Sequence, residues 1–323
     1  MQNEFWNLPS HIGKIGTPPL KSQGIKTKLI PFIAESIQWK PGKEGRWIEP
    51  FLGTGSVVLN IAPPRAILGD INPHVIGVLK AIQSKVITPE SARETLTNMG
   101  LILSKQGQDY YYEVRHRFNE FGDPMDFLFL NRASFNGIIR FNKRGKFNTP
   151  FGHKPERFQG AFITKVSNQI NWACNQMKDK EWEFYVSDWR DLISQANEHD
   201  FIYVDPPYIG RHADYFSLWS QIEADDLASL TRSSPAGYAL SMWLENSYRR
   251  NTHIEDEWQG TEIRLASHFY HVGPTENLRG SMTEALAIRP GFATPDKGLF
   301  VTGRSIKDRN ADCIPSLWDE IAM

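Results

Sequence analysis

Four residues, Asp205-Pro206-Pro207-Tyr208, follow directly on the apolar run Phe201–Val204, and no other feature of the chain restricts its fold as tightly. A short bulky apolar run that stops at a carboxylate reads as a strand buried on both faces, as in a parallel sheet covered by helices. Two consecutive prolines then fix the backbone and remove two donors, so the ladder cannot continue. Groups carried just past the carboxyl end of such a strand sit where open α/β sheets bind ligands.

Two other runs are of the same kind, Arg46–Glu49 and Ala66–Asp70. The first leads through Phe51-Leu52-Gly53-Thr54-Gly55 into a helix predicted over Ser56–Ile61. The second ends in Asp70-Ile71-Asn72-Pro73, where Asn72 can cap a helix over His74–Ile82 with Pro73 at its first position. Further strands are expected at Glu183–Val186, Gly237–Met242 and Glu284–Ile288. Strands alternating with helices predict an α/β, Rossmann-like domain with a mainly parallel sheet.

From Thr88 to Phe121 the pattern is helical, opening with Thr88 as cap and Pro89 and Glu90 in the first turn. Asn131–His153 lacks periodicity and is rich in Asn, Gly, Arg, Lys and Phe. We therefore expect a mostly helical recognition domain over 85–154, inserted into a catalytic domain formed by 1–84 and 155–323. The tail Pro290–Met323 gives no pattern.

The 323 residues are 40% hydrophobic and 23% charged, an ordinary globular composition. No apolar run reaches the roughly 18 residues that span a bilayer, and Met1–Gly13 has no signal-peptide core, so a cytoplasmic protein is expected. Cys174 and Cys313 have no metal-ligand spacing and read as buried reduced thiols; no metal is expected. A net charge of −1 argues mildly against a nucleic-acid partner. The distribution argues for one. Between Asn131 and Arg157 lie Arg132, Arg140, Lys143, Arg144, Lys146, Lys154 and Arg157 against the acid Glu156 alone. Phe135, Phe141, Phe147 and Phe151 interleave with these cations, which a merely solvated loop would not require.

The Asp-Pro-Pro-Tyr quartet suits chemistry at an aromatic amine, a poor nucleophile because its lone pair is delocalised. The Asp205 carboxylate and Pro206 carbonyl offer two acceptors, preorganised by the prolines, for the two amine hydrogens. Accepting both would aim the lone pair at an incoming methyl, and Tyr208 offers a face for a base taken out of the duplex. The plain alternative is a turn that ends a strand.

The segment Glu49–Gly55 lacks the third glycine of the dinucleotide fingerprint, since position 58 is Val58. That disfavours a pyrophosphate cofactor and suits S-adenosylmethionine, although a simple strand-to-helix turn reads equally well. Asp70 ends the next strand, where a carboxylate grips a ribose diol or caps a helix. Asp188, with Trp189, either meets an adenine ring or caps the helix Trp189–Gln195. Lys26 either faces a cofactor carboxylate or is an ordinary solvated lysine.

Taken together, the segments Pro19–Lys26, Glu49–Asn60, Leu68–Asn72, Phe129–Gly152, Ser187–Trp189 and Tyr203–Tyr208 resemble, in order, the Dam-like DNA adenine N6-methyltransferases. The chain departs from the family at Ser22, where Trp is frequent. The resemblance implies that Lys26, Phe51, Gly53, Gly55, Asp70 and Asp188 bind S-adenosylmethionine, with Trp189 beside them. It implies that Asp205, Pro206, Pro207 and Tyr208 hold the target adenine of double-stranded DNA. Phe135 and Asn136 match residues that enter the space left by the flipped base. Lys21, Ile138, Arg140 and Pro150 match base readers of family members that recognise GATC, and Arg140 has the fork for a guanine. Asn142, Lys143 and Arg144 complete the expected DNA surface, with Lys146 and Arg157 on phosphates.

Rival readings are methylation of cytosine N4 or of an RNA base, and a non-catalytic DNA-binding protein of the same fold. Any cognate restriction endonuclease would be linked to the chain only by a shared site.

Overall fold

The computed structural model describes residues 6–208, 219–246, 249–269 and 281–302. In chain order it runs α1 (Ile30–Ser36), β1 (Trp47–Glu49), α2 (Ser56–Ile61), β2 (Arg65–Asp70) and α3 (Pro73–Gln83). Four helices follow: α4 (Pro89–Gln106), α5 (Gln108–Phe121), α6 (Pro124–Ala133) and α7 (Gly160–Met177). The chain then forms β3 (Glu181–Val186), α8 (Trp189–Ser194), β4 (Phe201–Val204), α9 (Gln221–Ser233) and β5 (Gly237–Asn246). The remainder is β6 (Arg249–Arg250), α10 (His253–Glu257), β7 (Glu262–Phe269), β8 (Ser281–Ile288) and β9 (Phe300–Val301).

The strands form one sheet in the order β3-β2-β1-β4-β5-β8-β7-β9, with β6 on β5. The pairings from β3 through β5 are parallel; β8 is antiparallel to both β5 and β7. The chain moves outward from β1 to β2 and β3, then returns to place β4 on the other side of β1. That reversal opens a crevice beyond the carboxyl ends of β1 and β4, where the sequence carries Pro50–Gly55 and Asp205–Tyr208.

Side chains alternate along each strand, so successive residues serve opposite faces. Trp47, Leu68, Phe201 and Tyr203 pack with α1, α2, α3 and α7, and Trp47 stacks against Phe201 at 5.4 Å and Tyr203 at 5.6 Å. Ile48, Ile67, Ile202 and Val204 face α8, α9 and α10 on the other side. Burial on both faces explains why these strands read as unbroken apolar runs.

Leu96 and Leu103 of α4, Tyr111 and Phe118 of α5, and Phe127 of α6 join the same apolar core as the first sheet face. Gly107 (φ +61°) breaks the helical stretch after Thr88 in two. A hairpin follows α6, with Ser134 paired to Phe151 and Phe141 to Phe147.

Several expectations are corrected here. Asn131–Ala133 belong to α6 rather than to an irregular loop. Phe141, Phe147 and Phe151 are core side chains; of the four interleaved phenylalanines only Phe135 is exposed, at 50%. Arg132 is buried and bonds to Pro19 O and Gln169 Oε1, so it does not contribute to a basic surface. Cys174 is half-buried, and Cys313 lies outside the described residues. The tail contributes β9. Among the described residues no helix is long and apolar enough to cross a membrane.

Candidate active site

The glycine turn after β1 is held by Asp70, at the end of the neighbouring β2. One Asp70 oxygen accepts the Gly53 N–H at 2.8 Å and the other accepts the Asn72 N–H at 2.8 Å. Burial raises the Asp70 pKa, and these two backbone hydrogen bonds oppose the shift. Asp70 therefore organises the turn; α3 is capped by Asn72, whose Oδ1 accepts from His74 N and Val75 N. Gly53 (φ +51°) and Gly55 (φ +73°) are left-handed, a conformation costly to a residue with a Cβ. A Cβ on Gly53 would meet no atom within 4 Å, because that side opens into a cavity. Gly55 caps α2 and does not line the cavity.

Asp205, at the end of β4, faces the same cavity. Its Oδ1 lies 3.0 Å from Lys26 Nζ, which lies 3.8 Å from Glu284 Oε2 and donates to the Tyr208 hydroxyl at 2.5 Å. The Tyr208 hydroxyl also reaches both Glu284 oxygens, at 3.3 and 3.2 Å. Lys26 is 4% exposed, Glu284 1% and Asp205 22%, so Asp205 is the most exposed of the three, and of the two carboxylates it is the one that lines the cavity. Burial pushes the Asp205 pKa up to about 6 against the pull of Lys26. Burial would lower Lys26, but the Asp205 and Glu284 carboxylates outweigh it and hold the amine well above its usual value. Lys26 is thus not a solvated side chain.

The far wall is aromatic. Phe51 stacks on Trp189 at 6.2 Å and meets Trp219 edge-on at 5.4 Å. Asp188 caps α8 through Arg190 N at 2.9 Å and still lines the cavity. The capping reading of Asp188 therefore holds without removing it from the site. Lys26, Phe51, Gly53, Asp70, Asp188, Trp189 and Asp205–Tyr208 all border one space of about 390 Å³. Its wall combines the Asp70 and Asp188 carboxylates, the Phe51, Trp189 and Trp219 rings, and the Asp205 carboxylate.

The expected DNA-facing residues fall into two groups. Ile138 lines the cavity beside Ile139 and Phe141. The others lie outside it. Phe135 and Asn136 are exposed, and Asn136 adopts φ +53°. Lys143 and Arg144 are exposed on the hairpin turn, which Asn142 organises by accepting from Arg144 N and Lys146 N. Lys146 bonds to Asn119 O. Arg140 donates to Asn148 Oδ1 at 2.8 Å and to its carbonyl at 3.1 Å. Pro150 is exposed, and its carbonyl accepts the Phe135 N–H. Lys21 is fixed through its backbone by Asn131.

Three buried polar residues at or beside the site were missed in the sequence. Glu284 interrupts the apolar strand Met282–Ile288, and a carboxylate inside a buried strand was the signal that could have found it. Glu49 lines the cavity and accepts from Trp47 Nε1 at 3.0 Å; burial raises its pKa to about 8. Asn131, wholly buried, ties Lys21 to Gly137.

Residues 22–272 match the family model for D12 class N6 adenine-specific DNA methyltransferases. Among curated relatives, a DNA adenine methylase of Haemophilus influenzae is 32% identical over 289 residues, covering 84% of this chain and 93% of that protein. DNA adenine methylases of Salmonella typhi and Escherichia coli K12 are 29% and 28% identical over 269 residues, covering 77% of this chain and 88% of each. Among solved structures, the rRNA methyltransferase AviRa of Streptomyces viridochromogenes superposes with a TM-score of 0.33 and 11% identity, over 86% of this chain and 88% of that one. That likeness is too slight to weigh.

Proposed function

Since the chain belongs to the D12 class of N6 adenine-specific DNA methyltransferases, and so methylates adenine in DNA, we propose how its own residues perform that reaction. The observation that carries the reading is that the glycine turn at Gly53 and the Asp205 carboxylate open into one cavity from adjacent strand ends. S-adenosylmethionine is the proposed methyl donor. Asp70 would hold its ribose, Phe51 and Trp189 its ring, and Asp188 its adenine amine. When bound, it supplies an electrophilic methyl group and departs as an uncharged thioether.

The target adenine, swung out of the duplex, would lie against Tyr208, as base-modifying enzymes require for access. Asp205 and the Pro206 carbonyl accept the two N6 hydrogens and concentrate the lone pair on nitrogen. Once methylated, the amine carries one proton too many, and Asp205 takes it. A carboxylate whose pKa lies near 6 is basic enough to accept that proton yet remains ionised at neutral pH.

For the DNA, Phe135 and Asn136 are the proposed wedge, an assignment supported by their exposure beside the cavity-lining Ile138. Lys21, Ile138, Arg140 and Pro150 are proposed to read a GATC site, while Asn142, Lys143 and Arg144 follow the phosphates. The insert at 85–154 is the proposed recognition unit, sharing its core with the sheet face beneath it. A radiolabelled-methyl assay on D205A tests the core of this scheme. We expect no transfer, with S-adenosylmethionine still bound; turnover would remove Asp205 from the mechanism.

A further inference from the structure

Glu284 sits in β8 opposite Trp243 of β5, and its strand neighbours Ala285, Leu286, Ala287 and Ile288 are all buried. A carboxylate there is costly unless partnered. Its partners are the Tyr208 hydroxyl, at 3.2 Å, and Lys26 Nζ, at 3.8 Å, and both belong to the site. Lys26 reaches Asp205 at 3.0 Å, so one cation is shared by two carboxylates. Of the two, only Asp205 faces the cavity.

We propose that Glu284 is a positioning residue for methyl transfer, acting through Lys26 and Tyr208 on the Asp205 carboxylate and the tyrosine ring; this rests on the reading of Asp205 given above. Glu284 draws part of the Lys26 charge away from Asp205, leaving that carboxylate a stronger acceptor for the N6 hydrogens and for the released proton. It also holds the Tyr208 hydroxyl, which sets the ring. The other titratable groups acting on this cluster are Tyr203 of β4 and Glu49 of β1. Glu49 lines the cavity, Tyr203 is packed in the core against Trp47, and neither bonds to Glu284 among the described residues.

Removing the negative charge of Glu284 takes away a like charge that favours protonated Asp205, and commits Lys26 to Asp205 alone. The Asp205 pKa then falls and its acceptor strength falls with it. The test measures single-turnover transfer of tritiated methyl to unmethylated plasmid DNA from about pH 5 to 9, with the full-length wild type, E284Q and D205N. For E284Q we expect a rate about tenfold or more below wild type at neutral pH, with the acid limb moved to lower pH. Its S-adenosylmethionine affinity, measured by calorimetry, should stay within about twofold.

A wild-type rate and limb in E284Q, with D205N inactive, would overturn the role of Glu284 and leave that of Asp205 standing. Turnover by D205N would overturn the reading beneath both. If E284Q does not fold, E284D restores the charge on a shorter arm. A slowed E284D whose acid limb also moves to lower pH supports the role, and a slowed E284D whose acid limb stays at the wild-type pH overturns it.

Discussion

Asn131 and Lys21 are joined as a pair: the Asn131 side chain accepts the Lys21 N–H at 2.8 Å and donates back to the Lys21 carbonyl at 2.9 Å. The same amide donates to Gly137 O at 3.2 Å, and a Cβ on Gly137 would come within 2.9 Å of the Lys21 side chain. The loop before α1 and the turn that presents Phe135 and Asn136 are therefore tied together through Asn131. Asn131→Ala leaves three backbone groups without this partner, at about 1–3 kcal/mol for each that stays dry. We expect a loss of about 2–4 kcal/mol in urea unfolding, together with weaker DNA binding. A stable variant would mean that the two loops hold their positions independently.

The phenylalanines of the hairpin divide by burial, and so should their variants. Phe147→Ala removes a side chain 1% exposed and packed edge-on to Phe118 and Phe127, at an expected cost of about 3–5 kcal/mol. Phe135→Ala, at a position 50% exposed, should leave the melting temperature within about 2 °C and slow methylation. Equal destabilisation by both would contradict the division.

Arg140 and Lys143 separate base reading from phosphate binding. Arg140→Ala is expected to relax selectivity at one base position, at a cost of about 1–3 kcal/mol. Lys143→Ala should weaken all sequences alike and reduce the salt dependence of binding by about one phosphate contact. Competition binding with single-base variants, repeated at several salt concentrations, distinguishes the two.

Glu49 gives stability a pH signature. Its folded pKa, about 8, lies above that of an unfolded glutamate, so the folded state binds the extra proton between those values. Stability is therefore expected to fall as pH rises towards and through about 8, as the buried carboxyl is forced to ionise. Glu49→Gln, which cannot ionise, should flatten that decline and gain on the wild type at alkaline pH. Parallel melting curves from pH 6 to 9 would place the titration elsewhere.

Much of this architecture was legible because local and tertiary signals agree. Phe201–Val204, Ser56–Ile61 and the Asn72 cap lie where an apolar run, a glycine turn and an Asn-Pro pair place them. Helix α6 was hidden because Phe127–Ala133 is buried on every side and shows no amphipathic stripe. The phenylalanines at 141, 147 and 151 resembled an interaction surface because their burial comes from His74 of α3, Tyr111 and Phe118 of α5 and Phe127 of α6, all remote in sequence. Lys26 and Glu284 were beyond sequence reasoning as a pair. Their contact crosses from the loop before α1 to β8, and burial changes what each charge does.

The role of Asp205 in adenine methylation is tested most directly by single-molecule sequencing of DNA from cells that lack adenine methylation and express either this chain or its D205A variant. We expect N6-methyladenine in a fixed sequence context, GATC, with the wild type and none with D205A. N6-methyladenine persisting with D205A, or N4-methylcytosine with the wild type, would contradict it.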